Sequence, residues 1–260
     1  MITRILSAIA MMLIVALPIY FGGWLLNIFL IVMSLIAGYE YVSIRNKRFN
    51  ILLYVIIELF ILGIIVFPKN QVGIILILLI GLFTTSILFE DITFVDVNST
   101  FAISVLVGFA IYAVLTFYRF PYSNFHFLYV IIATFGTDTG AYFVGLKFGK
   151  HKLIERVSPK KTVEGSIGGW LFGMVLSFGF AYLHNYFFGG VNSLPYYLII
   201  SAILPIVSQI GDLSFSLIKR NYKVKDFGSL IPGHGGLLDR IDSLIFSLIF
   251  LISVLGFLYR

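Results

Sequence analysis

Runs of 18 or more largely apolar residues recur along the whole of this 260-residue sequence, and they decide the class of fold before any motif is read. A membrane-spanning helix needs roughly 20 such residues at about 1.5 Å each. The runs and their breakers predict nine spans, at about 5–21, 24–44, 51–67, 72–89, 100–118, 125–146, 164–187, 195–217 and 240–259. Composition agrees: 60% of residues are hydrophobic and only 12% charged, whereas soluble domains carry roughly 25% charged residues. The chain therefore reads as an all-α, polytopic membrane protein with one membrane domain over 1–260. Residues 1–120 are its N-terminal helices, suited to packing or dimerisation. Residues 121–260 hold most of its polar chemistry.

Basic residues set the expected orientation. With the N-terminus in the cytoplasm, 15 of the 18 Lys and Arg residues fall on the inner side, leaving only Lys69, Arg119 and Arg260 outside. Cytoplasmic loops collect such residues, so the split predicts N-in, C-out topology. It also accounts for the net charge of +6 without any need for nucleic acid as a partner. The first span, which follows Arg4, reads as an uncleaved helix, since no small-residue cleavage site follows it. There are no cysteines, which excludes disulfides and thiolate metal sites.

Polar residues inside the spans are the next signal. Asp138 lies in the sixth span, roughly 12 Å from its inner end, and Asp212 in the eighth, roughly 9 Å deep. Asp239 and Asp242 open the ninth span and share a helical face at i, i+3. Short acidic side chains at such depth need cationic partners, and a divalent ion suits a group of carboxylates. Ser208, Asp212 and Ser216 make one polar stripe down an apolar helix, with Gln209 beside it. Two basic loops, at about 147–163 and 218–239, flank the seventh and eighth spans. They carry Lys160, Lys161, Lys219, Arg220, Lys223 and Lys225.

Glycine and histidine divide into two kinds. Gly136/Gly140 and Gly165/Gly169/Gly173 are small-xxx-small stripes, the signature of close helix packing within or between chains. Gly233, Gly235 and Gly236 instead lie in a loop that feeds the ninth helix, a candidate phosphate cradle with His234 as a donor. His126, His151 and His184 read as structural or interfacial. Glu40 and Glu58 read as structural, with Glu40 close enough to a helix end to reach the interface or Arg45.

The stretch from Ser216 to Asp242 resembles the phosphatidate cytidylyltransferase (CDP-diacylglycerol synthase) pattern at every position. It runs Ser216-x-apolar-Lys219-Arg220, then Lys225-Asp226, then Pro232-x-His234-Gly235-Gly236-apolar-x-Asp239-Arg240-apolar-Asp242. Asp138 to Lys150 and Ser158 to Gly165 look like the same family. The resemblance implies about nine helices, a cytoplasm-facing active site in the cell (inner) membrane, and a homodimer. The implied substrates are CTP and phosphatidic acid, and the implied products CDP-diacylglycerol and pyrophosphate. It also implies Mg²⁺ in a binuclear cation centre whose second ion is unspecified. Asp212 and Asp239 match the family's metal-binding positions, with Asp242 or Asp138 assisting. Lys160 matches its functional loop lysine. The expected phosphate-neutralising set is Lys160, Lys161, Lys219, Arg220, Lys225 and Arg240, with Ser216, Gly233, Gly235 and Gly236 at the substrate.

Alternatives remain at this level. A CDP-archaeol synthase or a polyprenol kinase would share the lipid and CTP chemistry. An ion-coupled transporter would use intramembrane carboxylates, but its inverted repeats are not visible here. A passive scaffold leaves the carboxylates unexplained.

Overall fold

The computed structural model describes residues 14–45, 50–118, 120, 123–189, 194–230 and 235–258. Among them run nine helices. α1 is described over residues 14–21. The others are α2 (Gly23–Ser43), α3 (Ile51–Val66), α4 (Gln71–Leu88), α5 (Phe94–Phe117), α6 (Ser123–Phe148), α7 (Val163–Phe188), α8 (Leu194–Asn221) and α9 (Leu238–Leu258). Seven of them, α2 and α4 to α9, are long and apolar enough to cross a membrane. α3, at 16 residues, is shorter. The chain is thus a multi-pass helical membrane protein. Residues 5–13 of the first expected span, and Arg4, Lys47, Arg48, Arg119 and Arg260 of the charge count, lie outside the described residues.

Local chemistry sets where the helices begin and end. Gly22 and Gly23 both take left-handed backbone, with φ of 62° and 57°, and break α1 from α2 where a side chain would be strained. The Asn50 side chain accepts the N–H groups of Leu52 and Leu53 and starts α3. α5 begins about six residues before the expected start. Thr93 and Asp96 form a reciprocal capping box there: Thr93 N–H donates to Asp96 Oδ2 at 2.9 Å and Asp96 N–H to Thr93 Oγ1 at 3.3 Å. Asp96, from an acidic stretch that resembles a loop, therefore lies in the first turn of a helix, after a turn that holds Glu90 and Asp91.

The chain forms two compact units. The first comprises Met1–Leu115 with Asn221–Arg240. Its apolar core includes Leu53, Ile57, Ile61, Ile64, Leu82 and Ile103, all buried. A polar network runs through it. Arg45 grips Asp96 with two hydrogen bonds, Nε to Oδ1 at 3.1 Å and Nη2 to Oδ2 at 2.9 Å. Tyr222 donates to Asp96 Oδ1 at 3.2 Å, and its hydroxyl lies 3.3 Å from that of Tyr41, which in turn reaches Thr100. Arg45 is thereby committed to Asp96, not to Glu40.

The second unit comprises Thr116–Arg220 with Ile241–Arg260. The glycine stripes of α6 and α7 face each other in it. A Cβ on Gly169 would lie 2.6 Å from the Thr137 carbonyl, and one on Gly165 would lie 2.8 Å from the Ala141 carbonyl. A Cβ on Gly140 would lie 3.0 Å from the Gly168 carbonyl. Both stripes serve packing within the chain. His126 and His184 belong to an aromatic cluster with Phe125, Phe180 and Tyr197, where His126 Nε2 lies 3.1 Å from the Tyr197 hydroxyl.

The expected loop at 147–163 is not irregular. α6 continues to Phe148, and an antiparallel hairpin follows, β1 (Lys152–Ile154) paired with β2 (Ser158–Thr162) in the register Lys152↔Thr162 and Ile154↔Ser158. These strands are short and mostly polar, and β2 contains Pro159, so no period-2 signal announces them. The hairpin passes directly into α7, whose first turn is capped by Thr162 Oγ1 on the Gly165 N–H at 3.1 Å. Glu164 folds back to accept the N–H groups of Lys150 and His151 and pairs with His151 Nδ1 at 2.6 Å.

Candidate active site

The second unit gathers charge around α8. Gly211 lets α8 approach α9 closely, since a Cβ there would lie 2.9 Å from the Asp242 carbonyl and 3.0 Å from Phe246. One residue on, Asp212 projects with its side chain about a quarter exposed. Lys161 of β2 forms an ion pair with Asp212 Oδ2, and the Ser216 hydroxyl lies 3.4 Å from Oδ1. Asp242 is buried, accepts the Ser243 N–H at 2.7 Å, and feels the charges of Asp212, Lys219 and Asp138. Lys219 is buried as well. Asp138, Asp212, Asp242, Lys161, Lys219 and Ser216 thus belong to one unit, which mixes both signs of charge among apolar helices.

The hairpin that delivers Lys161 is fixed at two points. Arg220 Nε donates to the Val157 carbonyl at 3.2 Å, and Glu164 holds the strand-entry backbone as described above. Of the two adjacent lysines, Lys161 turns to the carboxylate while Lys160 is exposed on the strand. The α8 stripe is held further by Gln209, which accepts from the Ser166 hydroxyl at 2.5 Å and donates to the Ser166 carbonyl. Ser208 Oγ, deeper on the same stripe, is buried with no hydrogen-bond partner among the described residues.

In the first unit Asp239 opens α9. Its Oδ2 accepts the N–H of Phe227 at 2.8 Å and of Gly236 at 3.0 Å. Glu40 accepts the N–H of Leu237 at 2.7 Å and of Leu238 at 2.9 Å. The N–H groups that open α9 are therefore taken by carboxylates of the protein, so Gly236 does not present an open phosphate cradle. Gly235 has φ 85°, a conformation that favours glycine. Gly233 and His234 lie outside the described residues. Lys225 and Arg240 are exposed, and Arg240 adds a cation in the first turn of α9.

The donor set fits Mg²⁺ of the sparse kind. All the candidates are hard carboxylate oxygens, and Asp212 already holds a cation in the form of the Lys161 ammonium. Among the described residues no group of three or more His, Cys, Asp or Glu side chains gathers into a cage. The structural reading of Glu40 holds, with α9 and not Arg45 as its partner, and Gly211 is the residue that sequence reasoning missed. Glu40 carried only a hint, as an acid near a helix end, and Gly211 carried none.

A family model described as the cytidylyltransferase family matches residues 2–258. A phosphatidate cytidylyltransferase of Haemophilus influenzae is 47% identical over 125 residues, which cover 48% of this chain and 43% of that protein. One from Bacillus subtilis is 42% identical over 139 residues, covering 52% of this chain and 49% of that protein. One from Thermotoga maritima is 34% identical over 224 residues, covering 82% of this chain and 80% of its own length. The match therefore spans about half the length of the first two relatives and about four fifths of the third.

Proposed function

Because this chain belongs to the cytidylyltransferase family, we propose that it joins CTP to phosphatidic acid, giving CDP-diacylglycerol and pyrophosphate. The observation that carries this reading is Asp212 paired with Lys161, with Asp138, Asp242 and Lys219 within electrostatic reach in the same unit. In the reaction an oxygen of the lipid phosphate forms a bond to the α-phosphorus of CTP. The bond from that phosphorus to the α–β bridging oxygen breaks, and both electrons leave with pyrophosphate. A phosphate monoester has a second pKa near 6 and is largely dianionic at pH 7, so no protein base need deprotonate it. What remains for the protein is positioning and neutralisation of charge.

The residues divide that work. Lys161 and Lys219 neutralise phosphate oxygens from within the site, and Lys160 on β2, Arg220 and Arg240 at helix ends and Lys225 in the loop after α8 are cations that meet CTP arriving from water. Ser216 orients Asp212. Asp212 and Asp239 are the carboxylates that the sequence pattern assigns to Mg²⁺, with Asp138 and Asp242 adding negative charge on the side of Asp212. Bound there, Mg²⁺ would supply charge neutralisation between carboxylate and triphosphate. The cytoplasm-facing orientation, the inner membrane, a homodimer and a second cation belong to the same proposal. The α6–α7 glycine seam is occupied within the chain, so a dimer would use another face.

The test is direct. Purified protein in detergent is given labelled CTP, phosphatidic acid and Mg²⁺, and the lipid product is identified by mass spectrometry. CDP-diacylglycerol with one equivalent of pyrophosphate is the expected outcome. Product formed when polyprenol or archaeal lipid replaces phosphatidic acid, and not with phosphatidic acid, would redirect the substrate, and no nucleotide-linked lipid would refute the activity. Asp239→Asn is expected to abolish turnover with the fold intact; near-normal turnover would remove Asp239 from metal binding.

A further inference from the structure

Glu40 has no part in the chemistry above, yet it is 3% exposed near the end of an apolar helix. A buried carboxylate is tolerated only where donors surround it. Its donors come from the far end of the sequence, the N–H groups of Leu237 and Leu238 at 2.7 and 2.9 Å. These peptides open α9, where the helix dipole favours an anion. Glu40 is thus the N-terminal cap of α9, supplied by α2.

The same short segment carries Asp239. Its Oδ2 accepts the N–H groups of Gly236 and Phe227, so the direction of its carboxyl group is set by that backbone. The glycines fit this clamp. A Cβ on Gly236 would lie 2.6 Å from Glu40 Oε2, and one on Gly228 would lie 2.9 Å from Oε1. A side chain at either position would push the Glu40 carboxylate from where it meets Leu237 and Leu238. Residues 227–228 and 236–238 are therefore seated on two carboxylates, Glu40 on one side and Asp239 on the other.

We propose that Glu40 is a positioning residue that fixes the Gly235–Asp239 backbone and thereby aims Asp239 at the cation. The inference rests on Asp239 being a cation ligand, as proposed above. Groups that orient a metal ligand typically change metal affinity 10–100-fold when removed.

Two measurements on the full chain in detergent test it. Hydrogen exchange followed by mass spectrometry reads the 235–239 backbone directly. Glu40→Ala is expected to speed exchange there about tenfold or more, and Glu40→Gln, which keeps one acceptor oxygen, by less. Mn²⁺ binding, followed by electron paramagnetic resonance, is expected to weaken 10–100-fold in Glu40→Gln and to be lost in Asp239→Asn. Glu58→Gln is the control. It removes a carboxylate of the same unit that is bonded to Ser34, and it is expected to change neither reading. Parent-like exchange in Glu40→Ala overturns the proposal. So does a loosened loop with parent-like Mn²⁺ affinity, and so does a parent chain that binds no Mn²⁺. Failure of the proposed activity looks different, as a parent that binds Mn²⁺ and makes no nucleotide-linked lipid.

Discussion

Replacing Gly169 by alanine adds one methyl group at a close crossing of α6 and α7. The new Cβ would lie 2.6 Å from the Thr137 carbonyl and 2.8 Å from the Ala141 Cβ. Ordinary contacts are about 3.5–4.0 Å, so the helices must part by roughly 1 Å. The atoms in the way are backbone and a methyl, neither of which can swing aside. A gap of that size forfeits a quarter to a half of the dispersion at each neighbouring contact, and overpacking of this kind costs about 1–3 kcal/mol. Gly179→Ala, ten residues further along α7, is the matched control, because a Cβ there meets nothing within 4 Å. There alanine is expected to stabilise by about 1 kcal/mol through helix propensity alone. Helix propensity favours alanine equally at both sites, so the two variants should differ by the overpacking cost alone, about 1–3 kcal/mol, with Gly169→Ala the less stable. Apparent melting midpoints in one detergent, read by fluorescence-detected size exclusion after heating, check this. Equal midpoints for the two variants would refute the close packing of the seam.

Other outcomes follow from the charged and polar groups. Arg45→Met leaves Asp96 buried without its guanidinium, and is expected to destabilise by about 3–5 kcal/mol in the same melting assay; a parent-like midpoint would count against the network. Ser208→Ala removes a buried hydroxyl that has no partner, so it should be neutral or stabilising by up to about 1 kcal/mol, and clear destabilisation would reveal a bond to that hydroxyl. In the cytidylyltransferase assay Lys161→Ala is expected to lower the rate on the order of 100-fold, more than Lys160→Ala. The reverse order would return the principal role to Lys160.

The helices were legible because hydrocarbon runs of the right length have few other uses, and the carboxylates because charge inside such runs is conspicuous. Other features were not, for physical reasons. The Thr93–Asp96 capping box puts acids at a helix start, where they resemble a polar loop. The β1–β2 hairpin has Pro159 and two lysines in a five-residue strand, so its alternation is hidden. The glycine stripes announced close packing, but a stripe says nothing of its partner, and α6–α7 pairing needed coordinates. Glu40 and its acceptor role depend on residues 197 and 198 positions away, beyond any local pattern. Gly236 shows the limit most sharply: the same glycine suits a phosphate or a neighbouring carboxylate, and only its N–H bond to Asp239 and its closeness to Glu40 separate them.

The distance between Glu40 and its donors also has a meaning in time. A ribosome adds about 5–20 residues per second, so the 197 positions separating Glu40 from Leu237 take roughly 10–40 s to synthesise. During that interval α2 is already made, and the peptide groups that will cap α9 do not exist. Until Leu237 and Leu238 are made, the Glu40 carboxylate lacks these two donors. The capping of α9 by Glu40 therefore waits on the synthesis of Leu237 and Leu238.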